Sequence, residues 1–306
     1  MNIAILSKGP QLYSTQSLVR AGIRRGHNMK VIDHTRCNLL INQGGPQVLY
    51  EDQRLRRIHA IIPRIGASVT AHGAAVINQF EAMNVFTVAR AEPLMQSRDK
   101  LRCLQKLARF RIPVPKTVIV GEGQEIPALI RHLGGLPVII KMVESTHGVG
   151  VVLAETYATA ESVLEAFQKI KEKVLLQEFI AEAKGADVRA LVVGGEVVAA
   201  MKRQAKEGEF RSNLHRGATS VAVRLEHEEE VIVKKVVKLL GLDVAGVDLL
   251  RSRRGPLVME VNASPGLEGI EKTTGMDVAG KIIEFIEKRT EEIRNYRANT
   301  QTHHRK

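Results

Sequence analysis

The chain of 306 residues has no tryptophan, and aromatic residues make up only 4% of it. Proteins that grip single-stranded nucleic acid stack bases on aromatic side chains. The excess of 45 Lys and Arg over 33 Asp and Glu, a formal net charge of +12, therefore does not choose nucleic acid as the partner. Only two cysteines occur, Cys37 and Cys103, without Cys-x-x-Cys spacing. That argues against a disulfide framework and a structural zinc site, and both read as small apolar fillers in a reducing, cytoplasmic setting. No apolar run approaches bilayer length. The opening Met-Asn-Ile-Ala-Ile-Leu lacks the basic flank and cleavage site of a signal peptide and reads as a first strand. The turn after it, Ser7-Lys8-Gly9-Pro10, lacks the G-x-G-x-x-G spacing of a dinucleotide site. Gly275 to Lys281 begins like a P-loop, but Ile282 stands where Ser or Thr must hold magnesium, and no strand leads into it. The amphipathic positions Val278, Ile282, Phe285 and Ile286 make it a packed helix capped by Asp277, running to Arg289.

What is present is an ordinary globular balance, 44% hydrophobic and 25% charged, in a chain long enough for two or three packed lobes. Asn2–Leu6, Ser14–Arg25, Met29–Ile32 and Ala60–Pro63 alternate strand, helix, strand, strand, which predicts a small parallel α/β lobe over residues 1–93. The boundary is placed near Glu92-Pro93. A helix over Ser97–Phe110, capped by Ser97, follows. An α+β unit over 116–178 comprises strand Lys116–Val120, helix Gln124–His132, strands Pro137–Met142 and Val151–Leu153, helix Ala158–Lys171 and strand Val174–Glu178. Residues 179–289 hold a hairpin of Val188–Val193 and Val197–Met201 through Gly194-Gly195, a polar stretch from Arg203 to Gly217, helix Glu226–Leu240 and a last strand pair, Ala245–Leu250 and Leu257–Val261. Residues 290–306 form a basic tail expected to fray.

The chemistry concentrates in the last strand pair. Glu260 and Asn262 share a strand face by alternation, and a hairpin through Arg253-Arg254-Gly255 brings Asp248 near Glu260. Two carboxylates and an amide oxygen are hard ligands suited to magnesium or manganese bridging nucleotide phosphates; each acid alone would read as a solvated strand residue. Lys141 ends an apolar run directly before a glycine loop, Glu144 to Gly150, which lies between two strands and so reads as a phosphate-covering flap through Gly148 and Gly150. Its bland alternative is a hairpin turn. Glu178 and Phe179 stand at a lobe connection that could hold adenine and ribose. Arg203, Arg211 and Asn213 occupy the polar stretch, solvated by default, but able to hold a transferring phosphate and a substrate carboxylate.

Four segments carry a resemblance: Ser-Arg-Asp-Lys at 97–100, Lys141 before Glu-x-x-x-Gly-x-Gly, Phe-Arg-Ser-Asn-Leu-His-Arg-Gly at 210–217, and the run Met-Glu-Val-Asn-Ala-Ser-Pro-Gly-Leu-Glu-Gly-Ile-Glu from 259, with Ile62-Pro-Arg-Ile-Gly66 further upstream. Together they resemble the RimK family, bacterial ligases that add glutamates to the C-terminus of a small-subunit ribosomal protein. The Glu-Val-Asn strand is generic to ATP-grasp enzymes; the 210–217 segment and the run after Glu260 are more specific. The resemblance implies an ATP-grasp domain over 94–289 behind a Rossmann-like pre-ATP-grasp lobe. It implies Lys100 and Lys141 on nucleotide phosphates, Glu178, Phe179 and Asp187 on adenine and ribose, and Arg211, Ser212 and Asn213 at the phosphate-transfer end. Asp248, Glu260 and Asn262 would hold two divalent metals. It further implies ATP and L-glutamate as substrates, an acyl-phosphate intermediate, poly-glutamate as a second product, and a homo-oligomer without membrane or nucleic-acid partners. Another ATP-grasp ligase acting on a peptide, carrier protein or cofactor would share these residues. A non-catalytic ribosome- or RNA-binding module is the rival from another class.

Overall fold

A computed structural model describes residues 1–303 apart from 122, 124, 144–149, 171 and 172. The ends expected at Gln124 and Lys171, the flap residue Gly148, and the last residues of the tail lie outside the described residues.

The N-terminal lobe runs β1 (Asn2–Leu6), α1 (Tyr13–Arg24), β2 (Asn28–Ile32), β3 (Cys37–Leu40), β4 (Gln47–Tyr50), β5 (Gln53–Arg54), β6 (Ala60–Pro63), α2 (Thr70–Ala82) and β7 (Phe86–Thr87). β2, β1, β6 and β7 form a parallel sheet in that order, and β3, β4 and β5 a small antiparallel one. Both faces of the parallel sheet are covered. Ala4 and Leu6 enter a core shared with Phe80 and Val236, whereas Ile3 and Ile5 enter a second core with Leu18 and Ile283. Near-continuous apolar strands are the expected signature of such burial. α2 and β3 to β5 were not anticipated: α2 is apolar nearly all round, and the three strands are too short to show alternation.

The helix expected over Ser97–Phe110 is two helices. α3 (Ala91–Arg98) ends and α4 (Lys100–Arg109) begins at Asp99, whose carboxylate caps α4 by accepting from the Arg102 N–H. Ser97 is no cap; it lies inside α3, buried, with its hydroxyl donating to the Leu94 carbonyl. The Glu92-Pro93 junction likewise falls within the first turn of α3 rather than in a linker.

β8 (Thr117–Ile119), α5 (Ile126–Leu133), β9 (Val138–Met142), β10 (Val151–Ala154), α6 (Tyr157–Lys169) and β11 (Val174–Glu178) form an antiparallel sheet of order β10-β9-β11-β8, packed on two helices around a core of its own. Val138 and Ile140 of β9 and Val174 and Leu176 of β11 fill that core. Alternation then sends Ile139, Lys141, Leu175 and Gln177 to the opposite face, where all four line a cleft.

The other wall of the cleft is a five-stranded antiparallel sheet of order β14-β13-β12-β15-β16. It comprises β12 (Ala186–Val193), β13 (Glu196–Gln204), β14 (Thr219–Ala222), β15 (Val244–Ser252) and β16 (Gly255–Asn262), with α7 (His227–Leu240) before β15. β12 and β13 meet at Gly194-Gly195, both at positive φ, as a two-residue hairpin requires. Arg203, assigned to a polar loop, is in fact within β13, opposite Asp187. α8 (Glu268–Thr274) and α9 (Val278–His303) close the chain, and α9 continues well past the expected end at Arg289 through the stretch read as a fraying tail. Asp277 caps it, accepting from the Gly280 N–H. Among the described residues no helix is long and apolar enough to cross a membrane.

Candidate active site

β15 and β16 pair through the Arg253-Arg254 turn, with Ser252 opposite Gly255, and that register alone would set Asp248 against Met259. A β-bulge after Asp248 adds one residue to β16, so Asp248 faces Glu260 instead. The bulge also lets Val258 and Val261, an odd number of residues apart, enter the same core. Asn262, in phase with Glu260, ends β16 half-buried.

Strand alternation gathers the rest on this face. Asp187 and Arg189 come from β12, Arg203 from β13 and Asp248 from β15. Arg189 Nε and Nη2 donate to the two Asp248 carboxylate oxygens at 2.7 and 2.6 Å. Arg203 Nε donates to Asp187 Oδ1 at 2.7 Å, and its Nη2 bridges Asp187 and Asp248, the latter at 3.0 Å. Ser212 Oγ donates to Asp187 Oδ2 at 2.7 Å. Asp187, Arg203 and Asp248 are 3%, 4% and 1% exposed, and with the half-buried Arg189 they form a cluster of two acids and two arginines. Burial alone would raise the Asp248 carboxyl, but Arg189 and Arg203 hold it down to about 2. Burial, with Asp248 beside it, pushes the Asp187 carboxyl up despite Arg203 and Ser212. Both acids hold Arg203 firmly charged against its burial.

Across the cleft, Lys141 Nζ donates to Gln177 Oε1 at 2.7 Å, and Gln177 Nε2 donates to Thr117 Oγ1 at 2.9 Å. Burial depresses the Lys141 ammonium to about 8, with Glu260 opposing and Lys100 adding to the fall. Lys100, at the start of α4, reaches the Met142 carbonyl at 3.3 Å, and burial lowers its ammonium too. Lys100 and Lys141 thus approach Glu260 from two different elements. Gly150 directly precedes β10 at φ +67°, where an added Cβ would strike Met142.

Glu178 closes the cleft at the end of β11. Its Oε1 accepts from the Lys116 N–H at 2.5 Å, and Arg254 donates to both carboxylate oxygens. Arg211 Nε and Nη2 donate to the Glu209 carboxylate at 3.0 and 2.8 Å, and its guanidinium lies 5.2 Å from the Phe210 ring centroid. That pairing first, then backbone donors, holds Glu209 down to about 2.

Lys100, Lys141, Glu178, Phe179, Asp187, Arg203, Arg211, Ser212, Asn213, Asp248 and Glu260 all line one cleft of about 180 Å³. Asn262 and Gly150 stand outside its lining. Arg189 and Gln177 were missed. Arg189 is two residues from Asp187 and so on its face, and Gln177 is the polar end of an apolar strand facing Lys141; both signals were available. Cys103 also lines the cleft, its thiol raised to about 12 by burial.

Asp248 and Glu260 sit side by side and Asn262 follows in phase, which are the residue types that suit a hard divalent cation, but both Asp248 oxygens already accept from Arg189 and Arg203. Among the described residues no group of three or more His, Cys, Asp or Glu could hold a metal. A pair of carboxylates completed by substrate phosphates is how magnesium is commonly bound.

A family model described as the RimK-like ATP-grasp domain matches residues 97–286, and one described as the RimK PreATP-grasp domain matches residues 1–94. The chain belongs to the RimK-like ATP-grasp family. It is a ligase of the class that joins an acid to an amino acid through a carbon–nitrogen bond. A protein of Picosynechococcus sp. named probable alpha-L-glutamate ligase is 57% identical over 288 residues, covering 94% of this chain and 96% of its own length. Among solved structures, the ATP-grasp ligase PsnB, complexed with a phosphomimetic variant of its minimal precursor, Mg and ADP, superposes with a TM-score of 0.72 at 20% identity, over 94% of this chain and 98% of that one. D-alanine–D-alanine ligase from Bacillus anthracis, complexed with ATP, gives 0.71 at 15% identity, over 97% and 99%. At these identities the likeness shows the fold.

Proposed function

We propose that this chain uses ATP to join L-glutamate to the terminal carboxylate of an acceptor protein, the C-terminus of a small-subunit ribosomal protein, working as a homo-oligomer. The names of relatives such as the one from Picosynechococcus support the amino acid, and the resemblance in sequence supports the acceptor. The observation that carries the reading is the convergence of Lys100 and Lys141 on the Asp248–Glu260 face within one cleft.

An acceptor carboxylate oxygen attacks the terminal phosphorus of ATP, the bond to ADP breaks, and an acyl phosphate forms. The glutamate amine then attacks the acyl carbon, inorganic phosphate leaves, and the amine loses its proton. No enzyme nucleophile is needed. Lys100 and Lys141 offset phosphate charge, while Arg203, Arg211, Ser212 and Asn213 stand where the phosphate transfers. Glu178, Phe179 and Asp187 border the adenine and ribose end. Asp187 does so with its oxygens already engaged by Arg203 and Ser212. Gly150 borders the segment expected to cover the phosphates, and Gly148 of that segment lies outside the described residues. Asp248, Glu260 and Asn262 would hold two magnesium or manganese ions, which supply shielding of the repelling oxygens.

Intact-mass analysis after incubation with ATP, magnesium, glutamate and the acceptor protein tests this reading. It predicts a ladder of glutamate additions. ADP release with glutamate alone would indicate poly-glutamate synthesis, and no glutamate-dependent ADP release with either metal would sink both.

The Lys141 value gives a pH prediction. Phosphate binds the protonated amine, which the nucleotide-free protein loses as pH rises through about 8. The Kd for ADP should be flat below that pH and rise above it by up to about tenfold per unit, as for one required proton. Lys141→Arg keeps its charge and should remove the break. Calorimetric titrations from a pH of about 6.5 to about 9.5, which span the shifted group, check it; a flat wild-type profile refutes it.

A further inference from the structure

Two arginines in the motifs that carry the family resemblance have no part in the chemistry above. Arg64 follows β6 directly, and Arg98 ends α3. The Arg64 N–H donates to the Leu6 carbonyl at 2.9 Å, fixing it at the carboxyl end of the parallel sheet. The strand order changes direction there, with β2 on one side of β1 and β6 on the other. Open α/β sheets bind ligands in the crevice at such a point. Ser264 Oγ donates to the Pro63 carbonyl at 3.2 Å, tying the segment just past Asn262 to the residue just before Arg64. The Arg98 guanidinium donates to the Ile65 carbonyl and lies within electrostatic reach of both Arg64 and Glu260.

Among the described residues neither guanidinium meets an acid in an ion pair, and that of Arg64 has no hydrogen-bond partner. Arg64 keeps some accessible surface although it is densely surrounded, which describes a recessed position that a small ligand can reach. Burial, with Arg98 adding to it, drives the Arg64 guanidinium down to about 10. Two neighbouring unpaired cations in such a position destabilise the empty protein, and an anion would offset them. The planar fork of arginine matches a carboxylate. Neither arginine lines the cleft that contains Lys100 and Lys141, so the anion is more suitably a substrate carboxylate than a nucleotide phosphate.

We propose that Arg64 and Arg98 form a carboxylate receptor, supplied by the N-terminal lobe and its junction, that seats a substrate carboxylate beside Glu260. The proposal rests on the ligase reading for which carboxylate is bound: that of the incoming glutamate or that of the acceptor terminus.

The test uses the full chain and the variants Arg64→Gln, Arg64→Met and Arg98→Gln. Binding is read without turnover, as the rise in melting temperature produced by L-glutamate or by a peptide ending in glutamate, with the C-terminal amide of that peptide as control. Wild type should be stabilised by at least one of the two carboxylate ligands, and Arg64→Gln should not. In two-substrate kinetics Arg64→Gln and Arg98→Gln should raise one KM by about thirtyfold or more, the usual loss when one partner of a buried charge pair is removed, with the Kd for ADP unchanged. A rise confined to glutamate assigns the pair to the incoming amino acid; a rise confined to the acceptor assigns it to the acceptor terminus. Arg64→Met should raise the melting temperature of the empty protein, because it removes an unpaired charge, whereas loss of a merely structural arginine lowers it. Unaltered KM values, stabilisation by neither ligand, or an equal loss of ADP affinity would overturn the receptor. Ligand stabilisation without glutamate-dependent ADP release would uphold the receptor and overturn the ligase reading instead.

Discussion

Glu260→Gln is expected to remove glutamate-dependent ADP release by about a thousandfold or more, the several kcal/mol of charge stabilisation that an oxygen-bound cation gives a phosphoryl centre. The substitution is isosteric, so the bulge and strand pairing that set this residue opposite Asp248 stay in place. What changes is charge. Glu260 is the acid that opposes the depression of Lys100, Lys141 and Arg98. Without it Lys141 titrates lower still, and the comparison belongs at pH of about 6.5, where the ammonium remains charged. In EDTA the variant should bind ATP more tightly than wild type, because a carboxylate no longer repels the phosphates. Added magnesium should improve binding in wild type far more than in the variant. Calorimetry with and without magnesium, alongside ADP release, separates these effects. Retention of a tenth of the activity, or weaker metal-free binding, would mean that Glu260 does not hold the cation. Full retention would favour the ribosome- or RNA-binding module.

The acid pair was legible because alternation and a short hairpin are local properties. Asp248 in Gly-Val-Asp-Leu-Leu and Glu260 in Met-Glu-Val-Asn fall on apolar strands where an acid needs a reason. Their direct opposition was not legible. It depends on a bulge with no glycine or proline to mark it, in a strand whose residues would suit either register. The split at Asp99 was hidden differently. Ser97 and Asp99 are both good capping residues two positions apart, and only tertiary packing decides which of them ends α3 and starts α4. Arg203 was placed in a loop because the polar residues after it mask the end of β13. Once it is a strand residue opposite Asp187, the cluster with Asp248 follows from cross-strand geometry. The positions expected to bind nucleotide came from family resemblance, and the fold brings Lys100, Lys141, Glu178, Phe179 and Asp187 to one cleft. That Asp187 is buried and already engaged was not legible, because a sequence does not show which arginine a carboxylate meets.

Arg203→Met is accordingly expected to destabilise the protein by about 3–5 kcal/mol at neutral pH, the range found when one partner of a buried ion pair is removed. Arg189 still holds Asp248 through two hydrogen bonds, so the acid left most exposed to the loss is Asp187, retaining only Ser212. In wild type the depressed Asp248 carboxyl, at about 2, contributes stability that is present above its unfolded value and lost as pH falls through the folded one. Asp187 has the opposite sign: its carboxyl is already raised in wild type by burial, and losing Arg203 raises it further. An unpaired buried carboxyl has a folded pKa above its unfolded value near about 3.9, so its penalty develops as pH rises from there. Urea denaturation should therefore show a small deficit near pH of about 4 and the full one by pH of about 7. Replacing both partners, Arg203→Met with Asp187→Leu, removes the charge together with its counter-charge and should recover most of the loss. Recovery of folding without recovery of ligase activity would identify Arg203 as part of the phosphate-transfer machinery rather than as a strut. If the double variant also binds ADP as wild type does, Asp187 makes no contact with ribose that matters for affinity, and its place is beneath the site, orienting Arg203. A deficit under about 1 kcal/mol for the single variant, within the range of ordinary surface substitutions, would contradict the cluster itself.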